Sequence, residues 1–145
     1  MDSSLNTEIL RQIKENTEIL SQKFGGKIEK KQLQSQIMSS NRELAIYLPP
    51  DYHQSRDVYP VTYIHMGKSA QDVGQIHLKV DQLIQGKKVR PIILVMIDEN
   101  PKGFYDELFW NTESVNQYSL MLVKELAPYI DQHYRTIQPP ESRMN

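Results

Sequence analysis

Apolar residues recur along this chain at more than one period, and the changes of period divide it. Over residues 3–24, Leu5, Ile9, Ile13 and Leu20, with Asn16 among them, step by three or four positions and share one helical face. Arg11 and Glu15, and Lys14 and Glu18, stand four apart on the other side, where opposite charges support a helix. Gly25-Gly26 then supplies a left-handed stop. The spacing predicts a helix whose apolar face is docked on the domain, or one that self-associates through a seam holding Asn16. The pentapeptide NTEIL occurs at 6–10 and again at 16–20, which falls short of a stacked-repeat architecture. Lys23, Lys27, Lys30 and Lys31, interrupted by Glu29, read as a solvated, frayed junction.

Beyond the glycines the period shortens to two. Gln32 to Ser39 alternates, with Leu33, Ser35 and Ile37 on one side, and Glu43 to Leu48 forms a second strand. Ser39-Ser40-Asn41 is turn chemistry between them, so the pair predicts an antiparallel hairpin. Pro49-Pro50 opens a polar loop, and Val58 to His65 (VYPVTYIH) reads as a third strand rich in β-branched and aromatic residues. Val73, Ile76, Val80 and Leu83 mark a helix over 70–85. Pro91 to Asp98 (PIILVMID) is apolar without alternation, the mark of a strand buried on both faces, as in a parallel sheet. A loop with Phe104, Tyr105, Phe109 and Trp110 follows, and a long helix over 115–134 turns Leu122, Leu126, Tyr129 and Ile130 inward. The aromatics of that loop suit core packing better than an apolar substrate pocket.

The order helix, strand, strand, strand, helix, strand, helix predicts an α/β fold. A hairpin leads into a βαβα run with right-handed crossovers, behind an N-terminal helix. Residues 1–26 form a helical arm and 27–145 the sheet domain. Such a run expects another strand after its last helix; instead the helix through Asp131 to Tyr134 gives way to Pro139-Pro140.

Composition narrows the function classes. The 145 residues are 39% hydrophobic and 24% charged with a formal net charge of -1, an ordinary globular balance with no basic field for nucleic acid. There is no cysteine, which removes disulfides, thiolate metal sites and a Cys nucleophile. The N-terminus has no basic start followed by an apolar run, and the longest apolar run, Ile92 to Ile97, is too short to span a bilayer. A cytoplasmic location without membrane attachment is the default expectation. His53, His65, His77 and His133 show no ligand spacing, so neither metal nor cofactor is expected. His133, at a helix C-terminus, suits a dipole partner better than a base.

Candidate chemistry concentrates in Ile64-His65-Met66-Gly67-Lys68-Ser69-Ala70. A phosphate loop would need a glycine where Thr62 stands, inside the strand. A nucleophile elbow, Gly-x-Ser-x-Gly, is only half matched, because Gln71 replaces the second glycine; Ser69 is therefore a weak nucleophile candidate. A third possibility uses no side chain. The turn lies at the carboxyl end of a strand, where open α/β sheets bind ligands, and the backbone N–H groups of Gly67 and Lys68 can donate to an oxyanion. A plain strand-to-helix turn is the alternative. Asp98, at the matching end of the buried strand, is placed either for catalysis or to close the turn with Asn100-Pro101.

Taken together, Tyr47-Leu48-Pro49-Pro50, Asp51-Tyr52, Tyr59-Pro60-Val61 and Gly67 resemble the opening of the putative-esterase family of α/β-hydrolases, which includes esterase D-like and enterochelin esterase-like enzymes. PIILVMIDEN resembles the next strand of that family, Asp106-Glu107-Leu108 its acidic loop, and LVKELAPYIDQHYRT the helix before its nucleophile strand. The resemblance covers about residues 35 to 145 and leaves out the helix at 3–24. It implies a partial α/β-hydrolase-type sheet and carboxylic ester hydrolysis by a Ser-His-Asp triad, of which only the oxyanion-side turn, Gly67 and Lys68, maps onto this chain. Met66 stands where the family commonly has Asp or His. The elbow, acid and histidine of the family come later than Asn145, so the expectation is a truncated esterase domain, inactive alone. A small-molecule ester would be its substrate only when completed. The competing expectations are a binding protein that dimerises through the N-terminal helix or through the edge after Pro91–Asp98, and a complementing fragment of a split hydrolase.

Overall fold

A computed structural model describes residues 3–65, 75–98 and 112–138. Helix α1 spans Ser3–Gln22, followed by strands β1 (Lys27–Ser35) and β2 (Ser40–Leu48), a 3-10 turn at Tyr52–Gln54 and strand β3 (Val61–Ile64). Helix α2 (Ile76–Gln85), strand β4 (Ile93–Ile97) and helix α3 (Thr112–Met121) come next. A π-helical turn at Leu122–Leu126 then runs directly into helix α4 (Ala127–His133). The wide turn has a local cause. Pro128 donates no N–H, and its ring would press on the carbonyl of Lys124 in a regular helix. The Ala127 N–H instead reaches back to the Leu122 carbonyl, five residues away.

The four strands lie in the order β1-β2-β4-β3. β1 and β2 form the expected antiparallel hairpin, β2 runs antiparallel to β4, and β3 runs parallel to β4. Strand β4 is thus interior, and among the described residues β3 is the edge strand on its side of the sheet. This corrects the expectation that the open edge follows Pro91–Asp98: the hairpin claims one side of β4 and β3 the other.

Burial follows from that order. All five residues of β4 are buried, as its unbroken apolar run predicts. On one face Leu44, Ile46, Leu48, Ile93, Val95 and Ile97 meet Tyr118, Met121, Leu126 and Ile130 of the last helical stretch. On the other, Ala45, Tyr47, Leu94 and Met96 meet Ile84 and the half-buried Phe24, Ile76 and Val80. Each fully buried aliphatic side chain here contributes about 1.5–3 kcal/mol.

Several boundaries differ from the sequence pattern. β1 occupies 27–35 rather than 32–39, so the lysine-rich stretch is strand and Ile37 belongs to the turn. Backbone pairing from Lys27↔Leu48 to Ser35↔Ser40 sets this register, and an edge strand carries exposed Lys without cost. The turn is Gln36–Ser39, closed by Ser39 at φ 52, and Ser40 and Asn41 already belong to β2. β3 is shorter than 58–65 because Pro60 has no N–H to donate and Val58 is exposed. Among the described residues α2 starts at Ile76, after Gln75 in the left-handed region; residues 70–74 of the predicted helix lie outside them.

Helix α1 forms, but its apolar stripe is not docked. Leu5 is 58% exposed, and Ile9 and Ile13 are nearly as open. Among the described residues its C-terminal end reaches the domain, where the Thr17 hydroxyl donates to Gln75 Oε1 at 2.5 Å. Beyond it Gly25 and Gly26 donate to the carboxylate of Asp81. The solvent face is laced by Arg11, which bridges Glu8 and Glu15.

Candidate active site

β3 and β4 run in parallel with Ile64 beside Met96, so their carboxyl ends are level. His65 leaves one strand and Asp98 the other at the edge where open α/β sheets bind ligands. The Asp98 N–H donates to the Glu43 carbonyl at 3.0 Å, which ties the end of β4 to β2. Arg42, the next residue on β2, is buried to 2% exposure. From above, α3 lowers Tyr118 onto the same edge.

Tyr118 is buried, and its hydroxyl lies 2.7 Å from His65 Nδ1, with the rings tilted at 54° and 5.3 Å apart. Burial pushes the phenol up to about 12, against the opposing pull of the Arg42 charge, so Tyr118 keeps its proton at neutral pH. Burial lowers the Arg42 guanidinium from its ordinary value, and Tyr118 partly offsets that. On the strand itself, burial and the Asp131 charge push Tyr63 up to about 12.

The amino end of the sheet is a clamp. Arg135 donates from Nη1 to the carbonyls of Ser55 (2.7 Å) and Asp57 (3.0 Å) and from Nη2 to that of Tyr52. Its guanidinium lies 4.1 Å from the centroid of the Tyr52 ring. Tyr59 and Thr136 form a parallel bridge, and the Tyr134 hydroxyl donates to Glu29 Oε1 at 2.7 Å. These contacts fix the chain as it leaves α4 alongside the approach to β3.

The predicted site residues divide sharply. Gly67, Lys68 and Ser69, with Met66, lie outside the described residues, as do Phe104, Tyr105, Asp106, Glu107, Phe109 and Trp110. The histidines are scattered. His53 sits edge-on to Tyr52, His77 edge-on to Phe24, and His133 accompanies the Tyr129 carbonyl at 2.8 Å. Among the described residues, no group of three or more His, Asp or Glu stands close enough to hold a metal ion. No described helix is long and apolar enough to cross a membrane.

Sequence spacing does not reveal the His65–Tyr118 pair, because 53 positions separate its members. It also passes over Asp81, fully buried on the apolar face of α2. Here a signal existed: Leu78, Asp81 and Ile84 step by three, which puts a carboxylate on the inward face.

Residues 35–143 match the family described as "Putative esterase". An esterase of Mycobacterium tuberculosis is 30% identical over 112 residues, which cover 76% of this chain and 24% of that protein. The chain thus spans about a quarter of the length of the curated relatives it matches. An IroE-like serine hydrolase from Shewanella oneidensis superposes with a TM-score of 0.65 at 26% identity, over 76% of this chain and 40% of that one. An S-formylglutathione hydrolase from Agrobacterium tumefaciens gives 0.58 at 20% identity over 79% and 46%, a likeness of fold alone. The mixed sheet with helices is the partial α/β-hydrolase-type fold that the sequence resemblance implies. A family match over well over half the residues, joined to that fold, places this chain in the putative esterase family.

Proposed function

We propose that this segment supplies the first part of an α/β-hydrolase that cleaves carboxylic esters. The family match over residues 35–143 carries the reading. In it the backbone N–H groups of Gly67 and Lys68 serve as oxyanion donors beyond the end of β3. The nucleophile comes from a strand that adds in parallel to the outer edge of β3. The parallel bridge between Tyr59 and Thr136 supports that side and that direction, since it lies just ahead of β3 on its open edge. The 145 residues contain no Gly-x-Ser-x-Gly, and Ser69 has only half of that context. A polypeptide of these residues alone is therefore expected to lack hydrolysis above background. Small-molecule esters become substrates when an adjoining or partner segment supplies the elbow, in a cytoplasmic setting and without a cofactor.

The test compares two proteins on p-nitrophenyl acetate and butyrate: the 145-residue polypeptide, and the same polypeptide completed by a segment bearing an apolar strand and Gly-x-Ser-x-Gly. Hydrolysis by the second only, abolished when the elbow serine becomes Ala, is the expected result. Hydrolysis by the first that disappears with Ser69→Ala would move the nucleophile to Ser69. Inactivity of the completed protein on every ester tried would overturn the assignment. The exposed stripe Leu5, Ile9 and Ile13 favours a second reading for the arm, self-association through α1.

A further inference from the structure

The strongest grouping left over is at the carboxyl edge: His65, Tyr118 and Arg42, from β3, α3 and β2. We propose that Tyr118 is a positioning residue that holds His65 in the Nε2–H form, so that His65 presents an N–H donor to an oxygen of the bound ester. The donor role rests on the esterase reading above; the positioning of the ring does not.

The direction of the hydrogen bond follows from the neighbours. Tyr118 carries one proton, and its hydroxyl is 2.7 Å from Nδ1. Arg42, buried at the same edge, offers only donors, whereas the imidazole Nδ1 at 2.7 Å can accept the phenol proton. Nδ1 then accepts, and the proton of a neutral imidazole resides on Nε2. A buried tyrosine hydroxyl must find a partner. His65 Nδ1 supplies that partner, although the histidine itself is exposed and has water available. What the pair gains is a fixed ring at the edge where the sheet receives ligands. Of the four histidines, His65 alone leaves a strand at that edge.

The positioning is read by nitrogen-15 NMR of the imidazole rings in the 145-residue chain. His65 is expected in the Nε2–H form, with an Nδ1 resonance displaced by its hydrogen bond. Tyr118→Phe, which keeps the ring and removes only the hydroxyl, should abolish that displacement and mix the tautomers while backbone dispersion persists. An Nδ1–H form in the parent chain, or a His65 pattern unchanged in Tyr118→Phe, overturns the positioning. The donor role is read in the completed protein of the preceding test. His65→Leu is expected to lower kcat/KM about 10-fold, the worth of one substrate hydrogen bond, and His65→Gln, which keeps an N–H, to restore most of it. Equal activity of both variants with the parent, or equal loss in both, overturns the donor role. If the completed protein is inactive with His65 intact, the esterase reading and the donor role fall together, and the tautomer result still decides the positioning.

Discussion

Truncating Asp81 to Ala should cost more stability than any other single change on α2. Its carboxylate is fully buried and accepts from Gly25 N (3.0 Å), Gly26 N (2.9 Å), Tyr47 Oη (2.8 Å) and Gln85 Nε2 (2.6 Å). Gly25 and Gln85 are exposed, and water can replace their partner at little cost. Gly26 is half-buried and Tyr47 fully buried, so those donors are stranded. Each stranded donor costs about 1–3 kcal/mol, which places Asp81→Ala at about 2–5 kcal/mol destabilising. That is a large share of the ~5–15 kcal/mol of a typical domain. Urea unfolding followed by far-ultraviolet circular dichroism measures the difference, and the thermal midpoint should fall by roughly 5–15 °C. Because the same carboxylate holds the junction of arm and domain, tryptic cleavage after Lys23 or Lys27 should also accelerate. Tyr47→Phe alone should cost about 1 kcal/mol, and the double variant less than the sum, since both remove one bond. A loss below ~0.5 kcal/mol in Asp81→Ala, or strict additivity with Tyr47→Phe, would refute the reasoning.

Gly26→Ala should lose about 2–3 kcal/mol, because the added Cβ would stand 2.5 Å from the Leu48 carbonyl and 2.6 Å from the Tyr47 ring; an unchanged urea midpoint would show that the backbone yields there. Arg135→Ala should cost about 2–3 kcal/mol, and Arg135→Lys should recover little, since a point charge cannot serve the Ser55, Asp57 and Tyr52 carbonyls at once; full recovery in thermal melts would contradict the clamp. The Tyr134 hydroxyl bond is the largest factor holding the Glu29 carboxyl below its ordinary value. Its stabilisation is therefore complete above the ordinary glutamate range, near about pH 4, and is lost as pH falls through the lowered value. Tyr134→Phe should flatten that acid-side slope by a few tenths of a kcal/mol, and parallel curves for the two proteins would count against it. Ile9→Lys with Ile13→Glu should convert any self-association to monomer in light scattering behind size-exclusion chromatography, and an assembly state indifferent to both charges would remove α1 from it.

What the sequence revealed depended on how far apart the deciding residues lie. β4 was legible because an unbroken apolar run needs only itself to be read, and burial on both faces follows. β1 was misplaced because its first half is charged, and composition says nothing about a backbone ladder that β2 imposes from outside. The α1 stripe was correctly periodic, yet periodicity states which face is apolar and not what covers it. Asp81 was readable in principle, as a carboxylate at core spacing. The His65–Tyr118 pair was not, since Tyr118 by itself is one more inward aromatic and its partner is chosen by how α3 crosses the sheet.

Strand order is the deepest of these non-local facts, and it changes where the chemistry is to be sought. Chain order suggests that a strand following the last helix would lie beside β4, the latest strand before it. The sheet instead seats β4 between β2 and β3, which among the described residues leaves β3 as its open parallel edge. The stretch after α4 already runs parallel at the foot of that edge, through Tyr59 and Thr136, with Arg135 locked into the loop before it. A strand extending from there along β3 would end level with His65 and Asp98. A nucleophile carried at its carboxyl end would arrive one strand spacing, about 4.8 Å, from the end of β3. The clamp at the amino end and the Tyr118–His65 contact at the carboxyl end thus act on the two ends of the same strand.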